Sequence, residues 1–92
     1  MPTSNYSLRF EEQPEKDLAK LDQNTRLRII RATYLLSQNP RPPKAKKIVG
    51  FNYWRIRVGD YRVIYEIRGD ELVILVIRIG HRRNVYRGLP KD

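Results

Sequence analysis

The chain has 92 residues, of which 40% are apolar and 32% are charged, and it contains no cysteine and one histidine. This length allows one small hydrophobic core, so we expect a single soluble domain over residues 1–92 that folds alone. The composition excludes disulfides, thiolate chemistry, cysteine-rich zinc sites and HExxH sites, and we expect no metal ion and no small-molecule cofactor. The longest apolar run, residues 72–77, is too short to span a bilayer. No apolar leader precedes it, so we expect no membrane association and a cytoplasmic location.

The net charge of +9 lies almost entirely in the second half of the chain. Residues 1–40 carry six basic and five acidic side chains, whereas residues 41–92 carry thirteen basic and five acidic ones. An excess of this kind on one segment is typical of proteins that bind nucleic acid. Acidic proteins and anionic lipid would respond to the same field, so charge alone does not choose between these partners.

The N-terminal half contains one predicted strand and two predicted helices. Residues 6–10 alternate apolar and polar side chains, as in a half-buried strand. A proline with acidic neighbours then predicts a short helix over about 13–21. Asp22 or Asn24 can cap a second helix that ends near residue 38 and is basic on its outer face. Its buried stripe is expected to consist of the apolar residues at helical spacing, which are Leu27, Ile29, Ile30, Tyr34 and Leu36.

Three prolines within residues 39–43 stop this helix, and three strand-like segments follow. These segments, 53–58, 61–68 and 71–79, are separated by Gly-Asp turns and should form an antiparallel meander. From Leu72 to Ile79 the last segment is apolar on both faces except at Arg78, which places it inside the sheet. The predicted class is therefore α+β, with two N-terminal helices packed on one face of a small, mainly antiparallel four-stranded sheet.

The first strand of the meander divides its side chains cleanly between the two faces. Trp54, Ile56 and Val58 alternate with Arg55 and Arg57. Because side chains of a strand alternate between faces, the apolar set should pack on the helices and the guanidinium groups should point the other way. The sequence predicts that this arginine-bearing face is open to a ligand.

Arginine binds phosphate well because its planar guanidinium group can donate two hydrogen bonds and stays charged. Five arginines can converge near the end of the predicted sheet, namely Arg55, Arg57, Arg62, Arg82 and Arg83. A second basic group, which is either solvated loop or a contact to RNA backbone, follows the prolines and consists of Lys44, Lys46 and Lys47. Some of the interleaved tyrosines could stack unpaired bases while others fill the core; they are Tyr53, Tyr61, Tyr65 and Tyr86.

His81 is the one side chain here with an ordinary pKa near neutrality, so proton transfer at pH 7 points to it first. A lone histidine is commonly an incidental surface or capping residue. Here it follows Gly80 and precedes two arginines, with Tyr86 close behind. That combination suits polarising a phosphate beside a proton donor or acceptor.

The residues that carry these features resemble a known toxin family. The segments YWRIRVGDYRVIYEI (53–67) and VILVIRIGHRRNVYR (73–87), together with the preceding order of strand, two helices and proline loop, resemble the RelE branch of the RelE/ParE toxin superfamily. These proteins are the toxins of bacterial and archaeal type II toxin–antitoxin modules. The resemblance covers nearly the whole chain and implies a single RelE-like toxin domain.

The resemblance implies an mRNA interferase, an endoribonuclease that enters the ribosomal A site and cuts mRNA without a metal. The ribose 2′-hydroxyl attacks the adjacent phosphate, and translation is inhibited. Arg62 falls on the phosphate-stabilising arginine of the family, Arg82 on the basic residue after the last strand, and Tyr86 on the C-terminal functional tyrosine.

Arg55 and Arg57 occupy positions that are lysines in the best-known member. Arginine does not lose its proton in a protein, so these residues can bind phosphate but cannot act as general bases. We therefore assign proton transfer to His81, with Tyr86 orienting the base or assisting protonation of the leaving group.

The family also implies a partner, a cognate acidic, RelB-like antitoxin that neutralises the basic surface around Arg62 and His81. Residues 88–92 leave no room for the C-terminal helix that some relatives carry. Two other functions are compatible with the sequence. The first is a ParE-like toxin that inhibits DNA gyrase without nuclease activity, and the second is a non-catalytic RNA-binding module.

Overall fold

The computed structural model describes residues 5–90 of the chain, except that the side chains of Arg82 and Arg83 lie outside the description. Two helices and five strands precede a short 3₁₀ helix. In chain order the elements are β1 Ser7–Phe10, α1 Glu12–Ala19, α2 Gln23–Gln38, β2 Lys46–Lys47, β3 Trp54–Val58, β4 Tyr61–Arg68, β5 Val73–His81 and the 3₁₀ helix Arg82–Tyr86. Neither of the helices described is long and apolar enough to cross a membrane.

The sheet has the strand order β1-β5-β4-β3-β2, with β1 parallel to β5 and every other pair antiparallel. The α+β class and the position of β5 inside the sheet are confirmed. The prediction of four strands is wrong because the sheet has a fifth, β2. This strand is two lysines long, so it has no apolar alternation from which it could be predicted.

The helix α1 is fixed to the sheet through one carboxylate. Asp17 accepts hydrogen bonds from Arg78 Nε at 3.2 Å and from the backbone N–H of Ile79 at 3.1 Å. The register between β4 and β5 shifts at Ile64 and Tyr65, next to this contact. Asp17 therefore holds α1 against an irregular point of the sheet, where a backbone donor needs a partner.

Of the two predicted caps of α2, Asp22 and Asn24, the structure uses Asp22. Its carboxylate accepts hydrogen bonds from the hydroxyl of Thr25 at 2.6 Å and from the backbone N–H of the same residue at 3.2 Å. The hydroxyl and then the backbone donor lower the pKa of Asp22. Arg26 then donates to the carbonyls of Leu18 and Leu21, which joins the two helices.

The buried stripe predicted for α2 is wrong at three of its five positions. Ile29 and Leu36 are buried, but the three exposed members are Leu27, Ile30 and Tyr34. Two hydroxyl residues, Thr33 and Ser37, take the buried positions. Their hydroxyls donate hydrogen bonds to the carbonyls three residues earlier, at 2.7 and 2.5 Å. Both residues can therefore be buried, because their polar groups have hydrogen-bond partners.

The sheet carries apolar residues on both faces. The helix side is confirmed as the packing face of Trp54, Ile56 and Val58, and its buried members are Ile29, Leu36, Ile56, Val63, Tyr65, Ile74, Val76 and Ile79. A second buried cluster consists of Tyr53, Ile64, Val73, Leu75, Ile77, Val85 and Leu89. The face opposite the helices is therefore only partly open, because the C-terminal segment packs on it.

Tyr65 should make the stability of the fold depend measurably on alkaline pH. Its side chain is buried and its hydroxyl donates to the carbonyl of Pro40 at 2.6 Å. Burial raises the pKa of Tyr65 from its usual 10.0 to about 12. Below pH 10 the phenol is neutral in both the folded and the unfolded protein. Its stabilising contribution to the folded state is lost as the pH rises toward 12.

We expect Tyr65→Phe to lower the free energy of unfolding by about 1 kcal/mol near neutrality through loss of the hydrogen bond. The variant should also lose less stability than the parent when the pH rises above 10. Urea unfolding of both proteins across this range measures the difference. Parallel loss in the two proteins would contradict the assignment.

Candidate nucleic-acid interface

Three of the predicted arginines lie together on the sheet face opposite the helices. Arg57 and Arg62 are direct cross-strand neighbours between β3 and β4, and Arg55 lies two residues along β3 on the same face. Cross-strand neighbours have Cβ atoms about 5 Å apart. Arg57 is exposed and Arg62 is half-buried, with one guanidinium nitrogen donating to the carbonyl of Tyr61 at 3.3 Å.

Among the described residues, no ion pair with a carboxylate is seen for this pair of like charges. The ion pairs among the described side chains involve Arg68 and Arg78 but none of the three arginines above. Like charges placed opposite each other on a sheet repel. A phosphate between Arg57 and Arg62 would relieve this repulsion and accept hydrogen bonds from both forks.

The predicted lysines divide between the faces. Lys46 pairs with Arg55, so it lies on the arginine face, whereas Lys47 pairs with Trp54 and lies on the other. Lys44 is exposed and lines a cleft beside α2. The structure therefore adds Lys46 to the arginine row but brings neither Lys44 nor Lys47 to it. We call the row of Arg55, Arg57, Arg62 and Lys46 the arginine face.

The 3₁₀ helix lies directly against this face because Gly80 has no side chain. Gly80 is the β5 partner of Arg62. A Cβ added to Gly80 would lie 3.1 Å from Cβ and 3.2 Å from Cγ2 of Val85, which is closer than side chains normally approach. Val85 is fully buried, and the half-buried Tyr86 packs against the same cluster. The glycine thus lets the chain turn back and set Tyr86 on the arginine-bearing side of the sheet.

The end of the chain is held down by Tyr53. Its hydroxyl donates to the carbonyl of Pro90 at 2.9 Å, and its ring stacks on Phe51 with centroids 5.7 Å apart. Leu89 is buried in the same cluster. These contacts fix the segment that follows Tyr86 and so restrict where that phenol can lie.

We expect Tyr53→Phe to destabilise the protein by about 1 kcal/mol, since the ring packing is kept while the hydroxyl is lost. Proteolysis should then cut the C-terminal segment faster than in the parent. Limited digestion followed by mass spectrometry measures both proteins. An unchanged cleavage rate would show that Pro90 is held by other contacts.

His81 lies at the end of β5, exposed, with its ring edge-on to Tyr61 and centroids 5.4 Å apart. Tyr61 is its cross-strand partner and packs on the helix-side core. His81 and Arg62 therefore start from opposite faces of the sheet, one residue apart in register. The structure brings them to the same end of the sheet but does not place them side by side.

Three further arginines complete the comparison with the sequence. The side chains of Arg82 and Arg83 lie outside the described residues, although the backbone of both begins the 3₁₀ helix. Arg41 was not predicted as a site residue, yet its guanidinium lies 5.3 Å from the ring centroid of Trp54. This cation–π contact had no sequence signal, since Arg41 stands between prolines in a segment without periodicity.

The chain is similar to known toxins over most of its length. It is 46% identical to Toxin RelE3 of Methanocaldococcus jannaschii over 46 residues, which cover 49% of this chain and 50% of that protein. It is 27% identical to Toxin RelG of Mycobacterium tuberculosis over 86 residues, 89% of this chain and 97% of that protein. The family model described as ParE toxin of type II toxin–antitoxin system, parDE, matches residues 8–86. The chain belongs to the RelE branch of the RelE/ParE toxin superfamily.

A solved RelE structure shares the fold of this toxin. The RelB–RelE antitoxin–toxin complex from Methanococcus jannaschii contains a chain that superposes with a TM-score of 0.69 and 32% identity, covering 89% of the RelE-branch chain described here and 99% of its own length. The resemblance that the sequence carried is thus confirmed. As a member of this branch, the chain is the toxin of a type II toxin–antitoxin system.

Proposed function

We propose that this RelE toxin is a ribosome-dependent, metal-independent endoribonuclease that cleaves mRNA in the ribosomal A site and so inhibits translation. The observation that carries the proposal is the cross-strand pair of Arg57 and Arg62. Two adjacent guanidinium groups that form no ion pair within the described part of the chain, beside a phenol set by the 3₁₀ helix, suit a phosphodiester in its transition state.

The reaction forms a bond between the ribose 2′-oxygen and phosphorus and breaks the bond to the 5′-oxygen of the next nucleotide. Negative charge grows on the non-bridging oxygens, where Arg62 and Arg57 donate hydrogen bonds. A base must take the 2′-hydroxyl proton and an acid must protonate the leaving oxygen. Arg55 and Lys46 then bind the neighbouring phosphates of the strand.

Proton transfer is assigned to His81, with Tyr86 orienting the base or protonating the leaving oxygen. His81 starts from the helix side of the sheet and Arg62 from the other. The RNA must therefore cross the end of β4 and β5 to meet both. Arg82 follows His81 directly in the sequence and is proposed to add positive charge to the same end, with Arg83 beside it.

The proposed partners are the ribosome carrying mRNA and an acidic antitoxin, and the proposed location is the cytoplasm. The antitoxin is supported by the solved relative, which is a complex of RelE with the antitoxin RelB. The net charge of +9 fits both partners, because ribosomal RNA and an acidic polypeptide are each attracted to it. Lys44 and Lys47, away from the arginine face, are proposed to contact RNA backbone outside the cleaved codon.

The decisive experiment is primer extension on a defined mRNA, incubated with the purified toxin with and without programmed ribosomes. Cleavage within the A-site codon that requires ribosomes and is strongly reduced in His81→Ala supports the function and the histidine assignment. Ribosome-dependent cleavage that survives in His81→Ala keeps the function and moves proton transfer to Tyr86. Cleavage in neither condition rejects the nuclease.

The second candidate is inhibition of DNA gyrase, which is favoured by the match to a family model described as ParE toxin. A supercoiling assay with purified gyrase tests it on the same protein preparation. Loss of supercoiling with mRNA left intact would establish this alternative. RNA binding without either activity would instead identify a non-catalytic RNA-binding module.

A further inference from the structure

The loop between β2 and β3 places an aromatic ring at the border of the arginine face. Residues 48–53 carry no charged side chain, although Lys46 and Lys47 precede them and Arg55 follows. Within this loop Phe51 is half-buried, and its ring stacks on that of Tyr53 with centroids 5.7 Å apart and planes inclined by 14°. A ring in this position provides a contact that charge does not, because every nucleobase has a flat face on which a ring can stack.

A tight turn holds the loop in one conformation. The backbone N–H of Phe51 donates to the carbonyl of Ile48 at 3.2 Å, and the N–H of Ile48 donates to the carbonyl of Tyr53 at 2.9 Å. Gly50 has a φ of 85°, the left-handed conformation that the third residue of a type II turn requires. The ring of Phe51 is therefore fixed before RNA arrives, which lowers the entropic cost of binding a base.

Two of the four tyrosines predicted to stack bases or fill the core belong to the core. Tyr53 is 4% exposed, because Phe51 lies on its ring and the carbonyl of Pro90 accepts its hydroxyl. Tyr65 is fully buried on the helix side of the sheet. At this end of the arginine face, the ring with exposed surface is thus Phe51, which the sequence analysis did not single out.

Phe51 continues a row of side chains along the arginine face. Tyr53, Arg55 and Arg57 are alternate residues, so they lie on one face of the sheet at intervals of about 6.8 Å. Arg57 is opposite Arg62, the pair proposed to hold the reacting phosphate. A strand of RNA that continues from this pair along Arg55 therefore reaches Phe51 with a nucleotide beyond the cleaved bond.

We propose that Phe51 is a base-binding residue, whose ring stacks on a nucleobase of the mRNA that flanks the cleaved bond. The inference rests on the proposed cleavage of mRNA. Phe51 lies at the far end of the row from Arg57 and Arg62, so it does not touch the reacting atoms. Its stacking is equally strong before and during the reaction, and it therefore strengthens binding without changing the rate of the chemical step. Because stacking accepts any base, Phe51 holds the strand without selecting its sequence.

The test compares four proteins in single-turnover primer extension on programmed ribosomes over a range of toxin concentrations. Phe51→Leu keeps apolar packing on Tyr53 but removes the flat ring, whereas Phe51→Trp keeps a ring. The matched control is Tyr34→Leu, which removes an aromatic ring that is 59% exposed on α2, on the other side of the sheet. Each protein is also tested on mRNAs in which one nucleotide near the cleaved bond is abasic, one position at a time.

We expect Phe51→Leu to raise the half-saturating toxin concentration about tenfold, with the maximal rate unchanged. Phe51→Trp and Tyr34→Leu should behave like the parent. At one abasic position the parent should weaken by the same factor, while Phe51→Leu loses nothing further, because the ring and the base act as a pair.

A parent that cleaves with the same half-saturating concentration as Phe51→Leu would overturn this inference and leave the proposed nuclease in place. A loss in Phe51→Leu that persists at every abasic position would also overturn it, since the ring would then only support the loop. Equal half-saturating concentrations of the parent on all the abasic mRNAs would do the same, and this arm does not depend on how the variants fold. A parent that cleaves no mRNA rejects the proposed function and the role of Phe51 together.

Discussion

Replacing Arg62 with alanine should reduce the rate of ribosome-dependent mRNA cleavage by about 10²- to 10³-fold, the usual effect of removing one donor that stabilises developing negative charge. Arg62 is half-buried between Arg57 and Gly80, so its guanidinium is held in place before RNA arrives. Single-turnover primer extension at saturating toxin measures the chemical step apart from ribosome binding.

Two companion variants sharpen this test. Arg62→Lys keeps the charge but loses the fork, so it should recover only a small part of the activity if two hydrogen bonds to phosphate are needed. Arg9→Ala removes an exposed arginine from β1, at the far edge of the sheet, and should leave cleavage unchanged. Equal losses in Arg62→Ala and Arg9→Ala would mean that only the overall charge matters.

The second large effect is expected at Gly80. The change Gly80→Val adds a branched side chain where even a Cβ would lie 3.1 Å from Val85. The 3₁₀ helix must then move away from the sheet, at a cost of about 1–3 kcal/mol, and Tyr86 moves with it. We expect a lower midpoint of urea unfolding together with a loss of cleavage activity.

Gly69 provides the matched control for this change, because a Cβ added there would meet nothing within 4 Å. Gly69→Val adds the same atoms in open space and should shift the midpoint far less. Adding Val85→Ala to Gly80→Val should recover part of the lost stability, since it removes the Cγ2 atom at 3.2 Å. Additive effects of the two substitutions would argue against direct contact between these positions.

The strands could be predicted from the sequence because their side chains alternate strictly between the two faces of the sheet. The buried face of a helix was less predictable. Alternation assigned Arg55 and Arg57 to one face and Ile56 to the other, as the structure has them. The stripe of α2 was misassigned because hydrophobicity was taken as the mark of burial. The hydroxyls of Thr33 and Ser37 donate hydrogen bonds to carbonyls of their own helix, which allows these polar residues to be buried. A prediction based only on the spacing of apolar residues does not include this case.

The candidate site was predictable in its members and less so in its geometry. Residue type alone identified three candidate site residues, which are Arg57 in β3, Arg62 in β4 and Tyr86 in the 3₁₀ helix. The separation of His81 from Arg62 depends on the register between β4 and β5, in which Tyr61 pairs with His81 and Arg62 pairs with Gly80. This register is fixed only when the strands pair. The packing of the C-terminal segment over the sheet likewise depends on contacts such as Tyr53 with Pro90, far apart in sequence.

The parallel pairing of β1 with β5 determines when the sheet can be completed during synthesis of the chain. Ser7 pairs with Val73 and Phe10 with Val76, so the first strand finds its place only after nearly the whole chain has been made. Contacts between such distant parts of a chain form late and slowly. While the last strand is still inside the exit tunnel of the ribosome, the sheet that presents Arg62 beside Gly80 is incomplete. The arginine face is therefore completed only after β5 has left the ribosome.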